Sequence, residues 1–241
     1  MRIGRNRHKR FAGIPTTGLG LGGNLSFWFQ NNVGVAVGQW DDQSSNNRHA
    51  TQGTSGDQAA LAEGGLDFES GDGDHYDLAS QVTISAEEGF TIFLVCKVES
   101  VASNMVVLGL NSNAHFLQLN GGGDEVGIRL ASVTTTVTPS TSNLFHTDAG
   151  RFLLTIQREA GDTAGGGTLG HINLWRNGAK LALDSVAEND GDAEFISMGV
   201  RNADRFFDGI IHEMMMVEAG KDTADIRNRI HDYLNSKHGL S

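Results

Sequence analysis

The sequence predicts an all-β chain, a two-sheet antiparallel sandwich with a short C-terminal α-helix and an extended N-terminal arm. Short apolar segments recur along most of the chain with turn residues between them, and several alternate apolar and polar positions as half-buried strands do. Only the end of the chain shifts to helical spacing. The 241 residues include 32 Gly but 2 Pro, which suits many tight turns and excludes a collagen-like or proline-rich disordered chain.

Taken in order, residues 25–30 read as a first strand, and residues 33–37 alternate Val with Gly and Ala before Trp40. Residues 41–65 are polar and rich in Ser, Asn, Gln and Gly, so they are expected to form a loop over one sandwich edge. Phe90, Ile92, Leu94, Cys96 and Val98 alternate with Thr91, Phe93, Val95 and Lys97, the pattern of a strand near a sheet centre. Residues 105–110, 114–119 and 126–131 follow at hairpin spacing, and a Ser/Thr-rich passage at 132–143 is assigned no strand. After strand 151–158, residues 172–181 carry Asn177-Gly178, a pair that accepts the positive φ angles of a tight hairpin turn. Residues 194–200 make the penultimate strand and 206–217 the last, with a turn or bulge at Asp208-Gly209. Ile226, Ile230, Tyr233 and Leu234 then share one helical face. Asp222 or Thr223 can cap this helix, Lys237 and His238 suit its last turn, and Gly239 can end it. The short link at 218–221 packs the helix back onto the same domain, over a sheet edge or one sandwich end.

Charge divides the chain into an arm (1–23) and a body (24–241). The arm holds Arg2, Arg5, Arg7, Lys9 and Arg10 and no acid, a charge of +5, so the body carries 13 basic and 29 acidic side chains, or −16. The arm lacks the continuous apolar stretch of a secretory signal, and no segment approaches the ~20 apolar residues of a membrane-spanning helix. One cysteine, Cys96, allows no intramolecular disulfide and reads as a buried small hydrophobe.

Three stretches carry a resemblance: Phe207-Asp208-Gly209-Ile210-Ile211-His212-Glu213 with the closing helix, Trp40-Asp41-Asp42-Gln43-Ser44-Ser45-Asn46-Asn47-Arg48-His49-Ala50-Thr51, and Leu66-Asp67-Phe68-Glu69-Ser70-Gly71-Asp72-Gly73-Asp74-His75-Tyr76. Over most of residues 25–240 the chain resembles a laminin-G-like, concanavalin A-like lectin-glucanase jelly roll, of the kind found in bacteriophage virion proteins. Ser45 and Asn47 replace glycines of that family's pattern. The resemblance implies the fold but does not choose among lectins, adhesion modules, glycanases and virus structural proteins.

Catalytic residues are not evident: the closely spaced acids that a glycanase of this family uses are missing. Glu213 and Glu218 point to opposite faces of a regular strand, and His212-Glu213 lacks a second metal-binding histidine at helical spacing. Gly121-Gly122-Gly123 and Gly165-Gly166-Gly167 read as loop tips. Calcium is weighed at Asp42, Asp72 and Asp74, against the simpler expectation that these side chains bond loop amides. Trp40, His49, His75 and Trp175 are the residues expected at a glycan surface, with Trp175 the tryptophan expected to be exposed. The leading expectation is a non-enzymatic structural or decoration protein of a bacteriophage virion, docked through its basic arm on other virion proteins, capsid or tail, in a multimeric assembly. A carbohydrate-binding adhesion module is the alternative, with a glycan hydrolase third; no membrane partner is expected and nucleic acid is a weaker partner for the arm.

Overall fold

The computed structural model describes residues 21, 24–122, 124–142, 144–146, 150–161, 170–218 and 223–240. Two large antiparallel sheets face each other. The first runs in the order Ala179–Lys180, Ile172–Arg176, Arg151–Arg158, Phe90–Val98, Gly209–Glu218, Gly65–Phe68, Ala60–Ala62, with Leu25–Phe29 also paired to Gly209–Glu218. The second runs Val133–Val137, Val126–Leu130, Phe116–Leu119, Met105–Gly109, Ala193–Met198, Tyr76–Ile84, Ala50–Thr51, Gln39–Trp40, Val35–Ala36.

Strand Gly209–Glu218 organises the first sheet, pairing with Phe90–Val98 on one side and with Gly65–Phe68 and then Leu25–Phe29 on the other. Its alternation serves two cores. Met214 and Met216 enter the cluster between the sheets, whereas Met215 and Val217 point the other way, into a second cluster under helix α1 (Ala224–His238). A register shift between Ile211 and Glu213 interrupts this alternation, and a bulge of this kind sets adjacent side chains on one face. Accordingly His212 and Glu213 both meet the helix, through His238.

Ile230, Tyr233 and Leu234 of α1 pack with Leu21, Leu25, Trp28, Phe93, Val95, Leu153, Met215 and Val217. The helix therefore covers the outer face of the first sheet, not an edge or end as its short link suggested. The reason lies in Phe93, Val95 and Met215, whose apolar outward side chains need a cover. Thr223 caps α1, accepting a hydrogen bond from Ile226 N at 3.2 Å, and Gly239 ends it at φ 67°. Leu21, which the charge boundary put in the arm, is fully buried in this cluster.

The Asn177-Gly178 turn forms as expected, with φ of 49° and 86°. Strands also form where the sequence pattern predicts none. The Ser/Thr-rich passage contains Val133–Val137, and the nine-residue strand Tyr76–Ile84 was not recognised because its central residues are small and polar on an exposed face. The polar loop at 41–65 also contributes the short strand Ala50–Thr51, inside the second sheet, and Ala60–Ala62, an edge strand of the first.

Candidate functional site

Two of the four residues expected at a glycan surface are unavailable to a ligand. Trp40 is 0% exposed in the inter-sheet core, where its Nε1 donates to the Gln30 carbonyl at 3.2 Å. Trp175, expected to be exposed, is 7% exposed, with Arg227 Cζ 4.5 Å and Lys180 Nζ 5.6 Å from its ring. It lies in the first sheet, whereas His49 and His75 border strands of the second, so one surface does not collect the set. His49 Nδ1 accepts from Asp42 N at 3.2 Å. His75 Nδ1 lies 2.8 Å from the Gly73 carbonyl, which can only accept, so the proton sits there and Nε2 accepts from Gln52 Nε2 at 3.1 Å.

The calcium set is dispersed as well. Asp42 is buried and saturated by loop donors: Trp28 N and Ser44 N reach Oδ1 at 2.8 Å, while Ser44 Oγ and Arg48 N reach Oδ2 at 2.7 and 2.8 Å. Asp74 accepts from Glu69 N at 2.8 Å, and Asp72 is exposed. The described carboxylates that do converge are Asp67, Glu69 and Glu99, whose oxygens lie within 4.8 Å of one another and could hold a cation. Burial and then the neighbouring Glu99 push the Asp67 carboxyl above its ordinary value. The cationic residues Arg2, Arg5, Arg7, Lys9 and Arg10 lie outside the described residues.

Beneath α1 lies a buried polar group. Glu213, 1% exposed, takes Trp28 Nε1 at 2.8 Å, His238 Nε2 at 2.8 Å and Lys237 Nζ at 2.7 Å. Burial alone would raise its carboxyl, but these donors outweigh it and hold the group below the ordinary value. The carboxylate is enclosed and paired, so it ties helix to sheet and has no access to a substrate.

An open polar cleft lies at one end of the second sheet. Its volume is about 520 Å³, and it is lined by Gly121, Asp124, Glu125, Thr138, Pro139, Ser140, Ser142 and Asp184. The hairpin between Phe116–Leu119 and Val126–Leu130 brings in the acids, and Val137, opposite Val126, delivers the segment from Thr138 to the same end. Asp184 arrives because its N–H donates to the Thr138 carbonyl at 2.9 Å. Glu125 is held on both oxygens, by Asn120 Nδ2 at 3.0 Å and Thr138 Oγ1 at 3.2 Å, and Asn120 is itself fixed by Gln118 Nε2 at 2.7 Å. A carboxylate aimed in this way accepts from sugar hydroxyls without first being ordered. The sequence reading passed over this site: Asp124 and Asp184 are far apart in the chain, and the Gly121-Gly122 tip is their only local signal.

No protein-family model matches the chain, and no curated protein matches it by sequence. Solved structures do resemble it. Domain 4 of a GH43 extracellular arabinanase from Geobacillus stearothermophilus, in complex with arabinotriose, is 13% identical with a TM-score of 0.51, over 86% of this chain and 98% of that one. The binding domain of botulinum neurotoxin serotype D is 14% identical with a TM-score of 0.54, over 89% of this chain and 52% of that one. At these identities the likeness establishes a shared fold alone, a two-sheet β-sandwich.

Proposed function

We propose that the chain is a non-catalytic carbohydrate-binding module that receives a saccharide in the cleft of Asp124, Glu125, Thr138, Ser140, Ser142 and Asp184. The observation that carries this reading is the fixed Glu125 carboxylate in a cleft lined by hydroxyl and carboxylate groups. The fold shared with an arabinanase domain solved with arabinotriose supports it. Multivalent display of the protein on a glycan array, followed by calorimetry with arabinotriose and the best array ligand, tests it. Glu125→Gln and Asp184→Asn should each weaken binding about tenfold or more, the loss of one charge-assisted hydrogen bond. Absence of any glycan signal would overturn the reading. The same ligand should remain intact on long incubation, and release of new reducing ends would make the chain a hydrolase instead.

A second reading rests on the charge division between a +5 arm and a −16 body. In it the module is a bacteriophage virion component, docked on an acidic capsid or tail surface by Arg2, Arg5, Arg7, Lys9 and Arg10, with the body held away by like charge. Deleting residues 1–20 should then leave the melting transition in place and remove the protein from purified particles. Unchanged incorporation sinks the reading.

A further inference from the structure

The outer face of the second sheet carries a cationic cluster that neither the fold nor the cleft requires. Its base is a row of directly paired residues on adjacent strands: Thr134 opposite Arg129, Arg129 opposite Phe116, Phe116 opposite Gly109, and Gly109 opposite Ser197. Over this row lies the hairpin Val200–Arg201 and Arg205–Phe206, seated on Gly109, where an added Cβ would come 2.2 Å from the Val200 carbonyl oxygen. The hairpin sets Arg201 Cζ 4.1 Å from the centre of the Phe116 ring and pairs Arg201 directly with Arg205. Arg129 and Arg201 thus share one aromatic neighbour, and Arg205 stands opposite Arg201 on the hairpin.

Counter-charge is sparse. Arg201 has Asp204 at 3.5 Å, while Arg129 and Arg205 have no ion pair or side-chain hydrogen bond among the described residues. Arg129 Nε is buried without a hydrogen-bond acceptor among the described residues, and Arg201 Nε has only the long contact to Asp204 Oδ1 at 3.5 Å. Like charges placed opposite each other on paired strands destabilise a sheet, and this occurs on a body with a large excess of acids that could have been placed here. Burial holds Arg201 below its ordinary value against the pull of Asp204, and Arg205 and Arg129 push it further the same way.

We propose that Arg129, Arg201 and Arg205 form a binding site for a single oxyanion carried by a saccharide, either a carboxylate or a sulfate ester. Forked guanidinium groups suit both anions, and the exposed Thr134 hydroxyl beside Arg129 suits a neighbouring sugar hydroxyl. Three cations on an acidic body match one anionic group, whereas the rest of the body repels a long polyanion. The saccharide part rests on the carbohydrate-binding reading, but this site is separate from the cleft.

Calorimetry on the full chain with a glucuronate-containing disaccharide, a sulfated disaccharide and a neutral disaccharide tests the proposal. At least one acidic sugar should bind more tightly than the neutral one, and which of the two does so identifies the anion. Its affinity should fall about tenfold in Arg129→Gln/Arg205→Gln and again at high salt, but not in Glu125→Gln. The double variant removes like-charge repulsion and leaves the Arg201–Phe116 contact, so an unshifted or raised melting temperature shows that it remains folded. Acidic sugars binding no better than the neutral one, or unchanged binding by the folded double variant, overturn the proposal. So does tighter binding of a single-stranded oligonucleotide than of either acidic sugar. Loss of neutral-sugar binding in Glu125→Gln without loss of acidic-sugar binding keeps the two sites distinct, and failure of the cleft alone leaves this one standing.

Discussion

His212 is fully buried, and neither ring nitrogen has a hydrogen-bond partner among the described residues. Around it stand Glu63 at 3.8 Å, Arg151 bonded to that same Glu63, the His238 ring at 6.3 Å, and Glu213 beside it in the chain. Burial, followed by the Arg151 charge, lowers its pKa to about 4, against the small opposing pull of Glu63. The unfolded chain therefore takes up this proton near the ordinary histidine value of about 6.5, while the folded chain does so only near 4. Stability from this residue is complete above that ordinary value and is lost as pH falls through the interval, by about 3 kcal/mol in all. Glu213, whose carboxyl is held low, adds a loss of the same sign at the acid end. Urea melts from pH 7 to 4 should show a falling midpoint, and His212→Phe should flatten that slope. An unchanged slope in the variant would show that His212 is not the group responsible.

At the scale of an element, α1 is a cover for the first sheet. Ile230 is 0% exposed and touches the outward cluster, so Ile230→Ala removes buried methyl groups and leaves a cavity. The expected cost is about 2–5 kcal/mol, read as a lower denaturation midpoint with unchanged glycan binding. A variant with wild-type stability would mean that the stripe faces a partner. The Glu213 contacts with Lys237 and His238 tie the last turn of the same helix to the sheet. Glu213→Ala removes the carboxylate that Lys237 and His238 share and leaves Trp28 Nε1 without its bond, so it should destabilise the fold by about 3 kcal/mol or more. Chemical denaturation measures it.

Across the whole molecule, all three tryptophans are in packed regions: Trp28 at 2%, Trp40 at 0% and Trp175 at 7% exposure. None lines the cleft or belongs to the arginine cluster. Native emission should therefore be blue-shifted and poorly quenched by acrylamide, and saccharide binding should leave it unchanged. A large emission shift on binding would place the ligand on one of these rings and argue against the cleft. The aromatic residues that suggested a sugar platform in the sequence supply packing, and the polar loop ends supply the candidate recognition groups.

The sequence by itself determined the class of fold, because period-two alternation, Asn177-Gly178 and the stripe of Ile226, Ile230, Tyr233 and Leu234 are local signals that burial reinforces. It also determined where α1 ends, since Gly239 suits a left-handed residue. Strand Val133–Val137 is five β-branched residues, a strand signal that the surrounding Ser/Thr-rich stretch obscures until its partner strand is seen. Exposure of Trp175 was misjudged for a related reason, since only the docked helix brings Arg227 over it. Only the tertiary structure joined Asp184 to Asp124 and Glu125, and Arg129 to Arg201 and Arg205, because pairing between distant strands, and not spacing along the chain, makes those groups neighbours.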